Sequence, residues 1–213
     1  MTRVKRRRPY DSSGRLEQAR LSREAVLSAA EREFLARGYA RTTVARLAQK
    51  AKVSVETIYK AFGGKPGLVR ALVERGLAGR GPVPAPQRSD AMSAEESDPR
   101  RLVGRWGTLT AEVSPLVAPL LLLVREAAAS DPELRVVLRD IDQKRLTRMQ
   151  HNAQVLAARG FLRAGVTPDE AGDLMWTLTA PELYDLLVVR RGWTPEKLGE
   201  LVTTTLVATL LPR

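Results

Sequence analysis

Ser54, Val55, Glu56, Thr57, Tyr59 and Lys60 crowd hydroxyl, methyl, carboxylate, phenol and ammonium groups onto seven consecutive positions. If this stretch is a helix, its start favours phosphate, because the N-terminal N–H groups and the helix dipole both attract an anion, and Ser54 and Thr57 can add hydroxyl hydrogen bonds. The Tyr59 hydroxyl can reach a phosphate, Val55 can meet a thymine methyl, and Lys60 can reach a guanine edge or a phosphate. Glu56 would repel phosphate; it can accept from a cytosine amino group, or simply be an acid in the first turn that the dipole favours. Lys65 stands where a following helix should begin, an end that disfavours a cation. A bound phosphate would reverse that sign, and a solvated lysine is the plain alternative.

These groups need two short helices to hold them. The first opens at Thr43, and Val44, Leu47, Ala48 and Ala51 repeat at the spacing of an inward stripe. Ser54 caps the second, with Val53 and Ile58 placed as a hydrophobic staple. Ile58 and Phe62, four apart, turn to the core, which leaves Val55, Glu56, Tyr59 and Lys60 outward. A preceding helix is expected from Ser22 as N-cap, with Leu21 and Val26 as staple and Leu27, Ala30 and Phe34 as its buried face.

Charge concentrates in the same region. Residues 1–80 hold 19 Lys and Arg against 7 Asp and Glu, a net of +12, whereas residues 81–213 carry a net of −1. Surplus cation strengthens binding to any polyanion through counterion release, so charge alone admits RNA or an anionic membrane surface as well. Only the helix pair narrows the choice to duplex DNA. The basic run at 3–8 can enter a minor groove or remain a solvated tail.

The 213 residues contain no cysteine and one histidine, His151, which removes disulfides and thiolate chemistry and leaves little for metal binding or acid–base work. No nucleophile–base pairing or metal-ligand spacing is present, and Gly63-Gly64-Lys65 is too short and misplaced for a phosphate-binding loop. Neither an enzyme nor a cofactor is expected. No apolar run approaches the roughly 20 residues that cross a bilayer, and MTRVKRRRPYDSS lacks the apolar stretch of a signal peptide. The expectation is a soluble cytoplasmic protein without a membrane partner.

Helical periodicity recurs throughout and strand alternation is nearly absent, so the chain reads as all-α. Asp98-Pro99, Ser114-Pro115, Asp131-Pro132, Thr167-Pro168 and Thr194-Pro195 each put a capping residue before proline, and Glu170 completes a capping box with Thr167. Gly38, Gly160 and Gly192 fall where helices should stop. About nine helices are expected, roughly at 23–37, 44–51, 55–62, 65–79, 99–112, 115–129, 132–159, 168–190 and 195–211. The division is a disordered basic arm at 1–20, a helix-turn-helix domain at 21–64 and a helical domain at 65–213, with a flexible linker or loop at 79–99.

From Leu174 to Val189 apolar residues occur almost all round the helix, and Leu198, Leu201, Val202, Leu206, Val207, Leu210 and Leu211 continue the pattern. Two such helices can pair with the same two of a second copy, or form a hairpin inside a monomer. Trp106, Thr110, Met149, Trp176 and Thr177 are candidates to line a ligand pocket, although Trp106 and Trp176 serve equally as simple core. His151 beside Asn152 can bond a ligand or stay solvated. Glu112 and Glu126 can line a pocket or face solvent. Pro119 removes a backbone hydrogen bond and can bend its helix.

The segment from Val26 to Leu68 resembles the DNA-binding domain of the TetR family of transcriptional regulators. The likeness rests on Ala29-Ala30, Phe34 and Gly38, then Thr42-Thr43-Val44, then Val53-Ser54 with Thr57-Ile58-Tyr59 and Phe62, and finally Lys65 and Leu68. The resemblance implies a homodimer, paired through the last two helices, on a palindromic operator in double-stranded DNA, with a C-terminal domain that takes a small-molecule effector. It assigns Thr43, Tyr59 and Lys65 to phosphates and Val44, Val55, Glu56 and Lys60 to base edges. Lys52 departs from the usual turn glycine and would pay about 1 kcal/mol for a left-handed conformation. Ala61 replaces a frequent histidine and removes one phosphate contact. The implied function is a ligand-responsive regulator, usually a repressor; a DNA-binding protein without sequence choice is the alternative.

Overall fold

The computed structural model describes residues 13–213. The basic run at 3–8 therefore lies outside the described residues. Those described form ten α-helical segments: α1 (Ser13–Arg37), α2 (Val44–Ala51), α3 (Val55–Phe62), α4 (Lys65–Ala78), α5 (Ala85–Glu95), α6 (Pro99–Ala128), α7 (Pro132–Ala158), α8 (Pro168–Leu178), α9 (Pro181–Tyr184) and α10 (Pro195–Leu210), with no strand among them. A single π turn, Asp185–Val189, continues α9.

Local signals set most helix ends. Asp98, Asp131, Thr167 and Thr194 each accept a backbone N–H at the start of a proline-led helix, and Thr167 and Glu170 form the reciprocal capping box. Gly38, Gly160 and Gly192 adopt φ of 80°, 68° and 68°, the left-handed conformation that ends a helix without a Cβ clash.

Four boundaries differ from the sequence expectation. Helix α1 starts at Ser13, so residues 13–20 are helical and not part of a disordered arm, Ser22 is interior and not a cap, and Leu21 is exposed and not a staple. SGRLEQARLSRE has no proline to stop it, and Glu17 and Arg20 pair at 2.7 Å across one turn. Residues 85–95 of the expected linker form α5, anchored by ion pairs described below.

The third difference is α6, which runs through Pro115 and Pro119 without a break. Each proline forfeits one intrahelical bond, but Val117, Ala118, Leu120, Leu121 and Val124 are buried around them, and this packing holds the helix. Ser114 is consequently no cap. The joined helix also corrects the expected absence of a long apolar run: its most apolar 18-residue window has a mean hydropathy of 1.6. Helices α4, α7 and α10 of the same chain pack against it, and 33% of that window is buried.

Fourth, α8 ends at Leu178, because Ala180 precedes Pro181 and takes the extended conformation (φ −65°, ψ 140°) such a position favours. The expected single helix at 168–190 becomes α8, α9 and the π turn.

Two apolar cores result. One joins α1–α4 to the head-proximal parts of α6 and α7, from Phe34, Leu47, Ile58 and Leu68 to Val117, Val124, Leu134 and Ile141. The other gathers Leu102, Trp106, Leu156, Met175, Val202 and Leu206 at the far end. Helix α6 belongs to both. It crosses α10 at Gly107 and Gly199, where a Cβ on Gly107 would lie 2.7 Å from the Gly199 carbonyl oxygen and 1.9 Å from Thr203 Oγ1.

Candidate nucleic-acid interface and ligand cavity

Helices α2 and α3 meet in a tight turn. Lys52 closes α2 at φ 55° with its N–H on the Ala48 and Gln49 carbonyls, so this turn takes the left-handed residue without glycine. Ile58 is fully buried beneath α3, and Leu47 and Ala48 beneath α2. Burying that stripe turns Ser54, Val55, Glu56, Thr57, Tyr59 and Lys60 outward, all exposed, together with Thr43. Val55 is 41% and Tyr59 54% exposed, large apolar surface for a helix of eight residues.

The hydroxyls at the helix starts act as N-caps. Thr43 accepts the Arg46 N–H at 3.2 Å and Ser54 accepts the Thr57 N–H at 3.1 Å; Ser54 and Thr57 share a hydrogen bond of 2.8 Å. Capping uses an oxygen lone pair, so the Thr43 O–H stays free to donate.

Two of the expected contact residues are placed differently from the rest. Val44 is partly buried and packs on the head core. Lys65 is half-buried: its Nζ donates to the Tyr39 carbonyl at 2.7 Å and lies 3.9 Å from the centre of the Tyr39 ring. A carbonyl and a ring face thus offset the unfavourable end of the α4 dipole, so a phosphate is not needed to explain the cation. Burial pushes the Lys65 ammonium below its ordinary pKa, against the opposing pull of Asp131.

Positioning residues that carry no expected DNA contact hold the pair in place. Thr42, buried, donates to the Gly38 carbonyl at 2.9 Å and lies 3.2 Å from that of Glu33, tying the turn to the end of α1. Arg46 pairs with Glu33 at 2.5 Å, and Arg75 of α4 pairs with Glu31 at 2.7 Å. Gly67, in the first turn of α4, is obligatory against the end of α3, because a Cβ there would lie 1.6 Å from the Phe62 carbonyl oxygen. Sequence showed these as ordinary surface charges and a glycine; the partners of Arg46 and Arg75 are 13 and 44 residues distant along the chain.

A second feature lies in the body. A cavity of about 400 Å³ opens where the two cores meet, lined from α4, α5, α6, α7, α8, α9 and α10. Trp106, Thr110 and Met149 line it; Trp176 and Thr177 do not. Trp176 sits behind Arg145, whose guanidinium is 5.6 Å from its ring centre, and Thr177 is exposed with its hydroxyl on the Asp173 carbonyl at 2.8 Å. The Thr110 hydroxyl is engaged in its own helix, on the Trp106 carbonyl at 2.9 Å. Ser89 and Asn152, both buried, also line the cavity. Ser89 escaped sequence reading because its segment resembles a linker.

Glu112 is not a lining residue. Its carboxylate takes both terminal nitrogens of Arg88, at 2.8 and 2.6 Å, and the Arg80 N–H at 2.6 Å, which ties the end of α4, α5 and α6 together. The Arg88 hydrogen bonds push its pKa down to about 2. Glu126 is exposed. His151 is half-exposed, 3.3 Å from Asp90, and Arg148 bonds the same Asp90 at 2.8 Å and holds its carboxyl below the ordinary range.

The geometry defines a helix-turn-helix head, with an outward second helix, fused to a helical body that contains a cavity. Residues 26–72 match the family model of bacterial regulatory proteins of the tetR family. The HTH-type transcriptional regulator TtgR of Pseudomonas putida is 45% identical over 58 residues, which are 27% of this chain and 28% of the relative. The uncharacterized HTH-type transcriptional regulator YvkB of Bacillus subtilis is 40% identical over 58 residues, 27% of this chain and 31% of the relative. Each sequence match thus spans less than a third of the relative's length.

Solved structures extend the likeness in fold. The SmeT–triclosan complex superposes with a TM-score of 0.69 at 22% identity, covering 90% of this chain and 92% of SmeT. Native NalD, the secondary repressor of the MexAB-OprM multidrug efflux pump in Pseudomonas aeruginosa, gives 0.68 at 22% identity, covering 91% and 98%. Residues 26–72 are thus similar to the N-terminal domain of that family, and about nine-tenths of the chain shares its fold with these two solved structures.

Proposed function

We propose that this protein is a sequence-specific, ligand-responsive transcriptional regulator of the TetR type, acting in the cytoplasm as a homodimeric repressor. The observation that carries the reading is the outward face of α3: Val55, Glu56, Tyr59 and Lys60 stay exposed while Ile58 anchors the helix. A two-turn helix displaying an aromatic ring, a β-branched side chain and a cation is a groove reader. Val55, Glu56 and Lys60 read base edges, with Val44 at the margin; Thr43, Ser54, Thr57 and Tyr59 take phosphates. Lys65 joins them by exchanging the Tyr39 carbonyl for a phosphate oxygen.

The π turn supports pairing of two copies. Asp185–Val189 is four-fifths apolar yet contains no buried residue, with Leu186 50% and Val189 62% exposed. A second copy laid on this face and on α10 covers it, and the resulting two-fold axis matches a palindrome. The cavity then supplies the response. Helix α7 lines it at Ile141, Arg145 and Met149 and packs into the head core at Leu134 and Val137, so a ligand that moves α7 moves the head. SmeT's complex with triclosan shows that a protein of this fold takes a small molecule. Relief of repression requires the ligand to prefer the conformation that fits DNA poorly, since equal affinity shifts nothing.

The test is competition at about 150 mM salt between a selected operator duplex and random duplex. A regulator prefers its site by roughly a thousandfold or more. Affinities within about tenfold of each other would make the head a nonspecific DNA-binding module instead.

A further inference from the structure

We propose that the overhanging start of α1, residues 14–23, is a second DNA contact that grips the phosphate backbone beside the half-site read by α3. The proposal rests on the reading of α3 as a groove reader and adds a surface that the helix pair does not supply.

Position comes first. Leu16, Arg20, Arg23, Leu27, Ala30 and Phe34 repeat at spacings of four and three, so they share one face of α1. Leu27, Ala30 and Phe34 are buried in the head core. Towards the N-terminus that core gives out, and every residue from 14 to 21 is exposed, with Leu16 at 71%. Packing, the usual source of helical stability, does not account for these turns. The same face carries Arg23 over the ring of Phe62 at the end of α3, 4.6 Å from its centre. Phe62 is seven residues from Val55 and so lies on the same line of α3, which sets the root of the overhang at the edge of the reading face. From Arg23 to Gly14 the helix extends about 14 Å, the axial span of about four phosphates on one strand.

Charge comes second. Residues 1–23 hold eight Lys and Arg against two Asp and Glu, a net of +6. That is half of the +12 in residues 1–80, and it lies outside the helix pair. Arg20 bonds Glu17 at 2.7 Å with both side chains more than half exposed; a pair in that setting is weak and screened, so a phosphate can take the guanidinium. The ring contact of Arg23 consumes no N–H, which leaves its donors for phosphate oxygens. A lipid surface fits worse, because Leu16 and Leu21 stand about 140° apart round the helix and form no continuous apolar face.

The experiment measures the affinity of the protein for its selected operator duplex and for random duplex over a series of salt concentrations, in the parent and in Arg20→Gln, Arg23→Gln and Glu17→Gln. Each arginine variant should lower the slope of log affinity against log salt by about 0.9 on both duplexes and leave the enriched bases unchanged, since phosphate contacts carry no sequence information. In the parent, ethylation of phosphates outside the half-sites should interfere with binding, and this interference should fade in the arginine variants. Glu17→Gln should tighten both duplexes roughly twofold to threefold, because it frees Arg20 and deletes a charge of the same sign as phosphate. Arg20 is exposed, so its variant should melt with the parent, which separates a lost contact from lost folding. An unchanged slope in both arginine variants, with the parent still selecting its operator, would overturn the overhang contact and leave α3 as the reader. A parent that binds no duplex would overturn the overhang and the regulator reading together. Binding to phosphatidylglycerol vesicles that both arginine variants abolish, with duplex slopes unchanged, would assign these turns to a membrane and overturn the proposal.

Discussion

Replacing Glu112 with glutamine should destabilise the protein in a way that depends on pH. The carboxylate is about a quarter exposed (24%) and its pKa is pushed down to about 2 from an ordinary 4.5, chiefly by the Arg88 hydrogen bonds. A depressed pKa means that the folded state binds the proton less tightly than the unfolded chain. The stabilisation is therefore fully present above pH 4.5 and is lost as pH falls towards 2. The full shift corresponds to about 3 kcal/mol at about 1.36 kcal/mol per unit, and solvent screening of a partly exposed pair reduces this to about 1–2 kcal/mol. Urea unfolding of both proteins, followed by helical circular dichroism, supplies the difference at each pH. It should be constant from about pH 6 to 8 and fall to less than half by about pH 3. Because Glu112 fastens α5 to α6, amide exchange should also accelerate within residues 85–95 in the variant. A stability difference that stays the same at about pH 3 and about pH 7 would refute the reasoning, since the contribution would then come from packing and not from the ionised carboxylate.

Other consequences follow from the same structure. Gly107→Ala forces a Cβ against Thr203 Oγ1 and the Gly199 carbonyl and should cost about 1–3 kcal/mol in urea unfolding; an unchanged midpoint would mean that α6 and α10 do not cross so closely. Tyr59→Phe removes an exposed hydroxyl, so operator affinity at fixed salt should fall about threefold to tenfold with no change in melting temperature; unchanged affinity would remove the phosphate contact. For Lys65→Gln, the slope of log affinity against log salt should drop by about 0.9. A constant slope with lower stability would leave the ammonium on the Tyr39 carbonyl in the complex. Val189→Asp places a charge on the uncovered apolar turn and should shift sedimentation from dimer to monomer; a dimer that persists would locate pairing elsewhere.

The head was legible because its signals are local. Thr43 and Ser54 cap helices within three residues of their partners, and Ile58 and Phe62 fix by spacing which face of α3 turns inward, so the outward set followed directly. The body was less legible because its determinants are tertiary. Pro115 reads as a helix start, yet buried neighbours on α4, α7 and α10 carry α6 through it. Residues 85–95 are too polar to order alone, and become a helix through Arg88–Glu112 and Asp90–Arg148, whose partners lie 24 and 58 residues away. Without α5, Ser89 could not be assigned to a cavity. Trp176 reads as pocket lining by residue type, but the pairing of Arg145 with Asp142 and the end of α8 sets it behind the wall.

Selection of bound DNA from a random duplex pool by the protein, at about 150 mM salt where nonspecific binding is weakened, tests the central claim most directly. Enrichment of a palindrome is predicted, with half-sites set by two recognition helices about 34–36 Å apart or a multiple, and Val55→Ala or Lys60→Ala should change the enriched bases within each half-site. Recovery of unenriched sequence, with binding that merely fades as salt rises, would contradict the account.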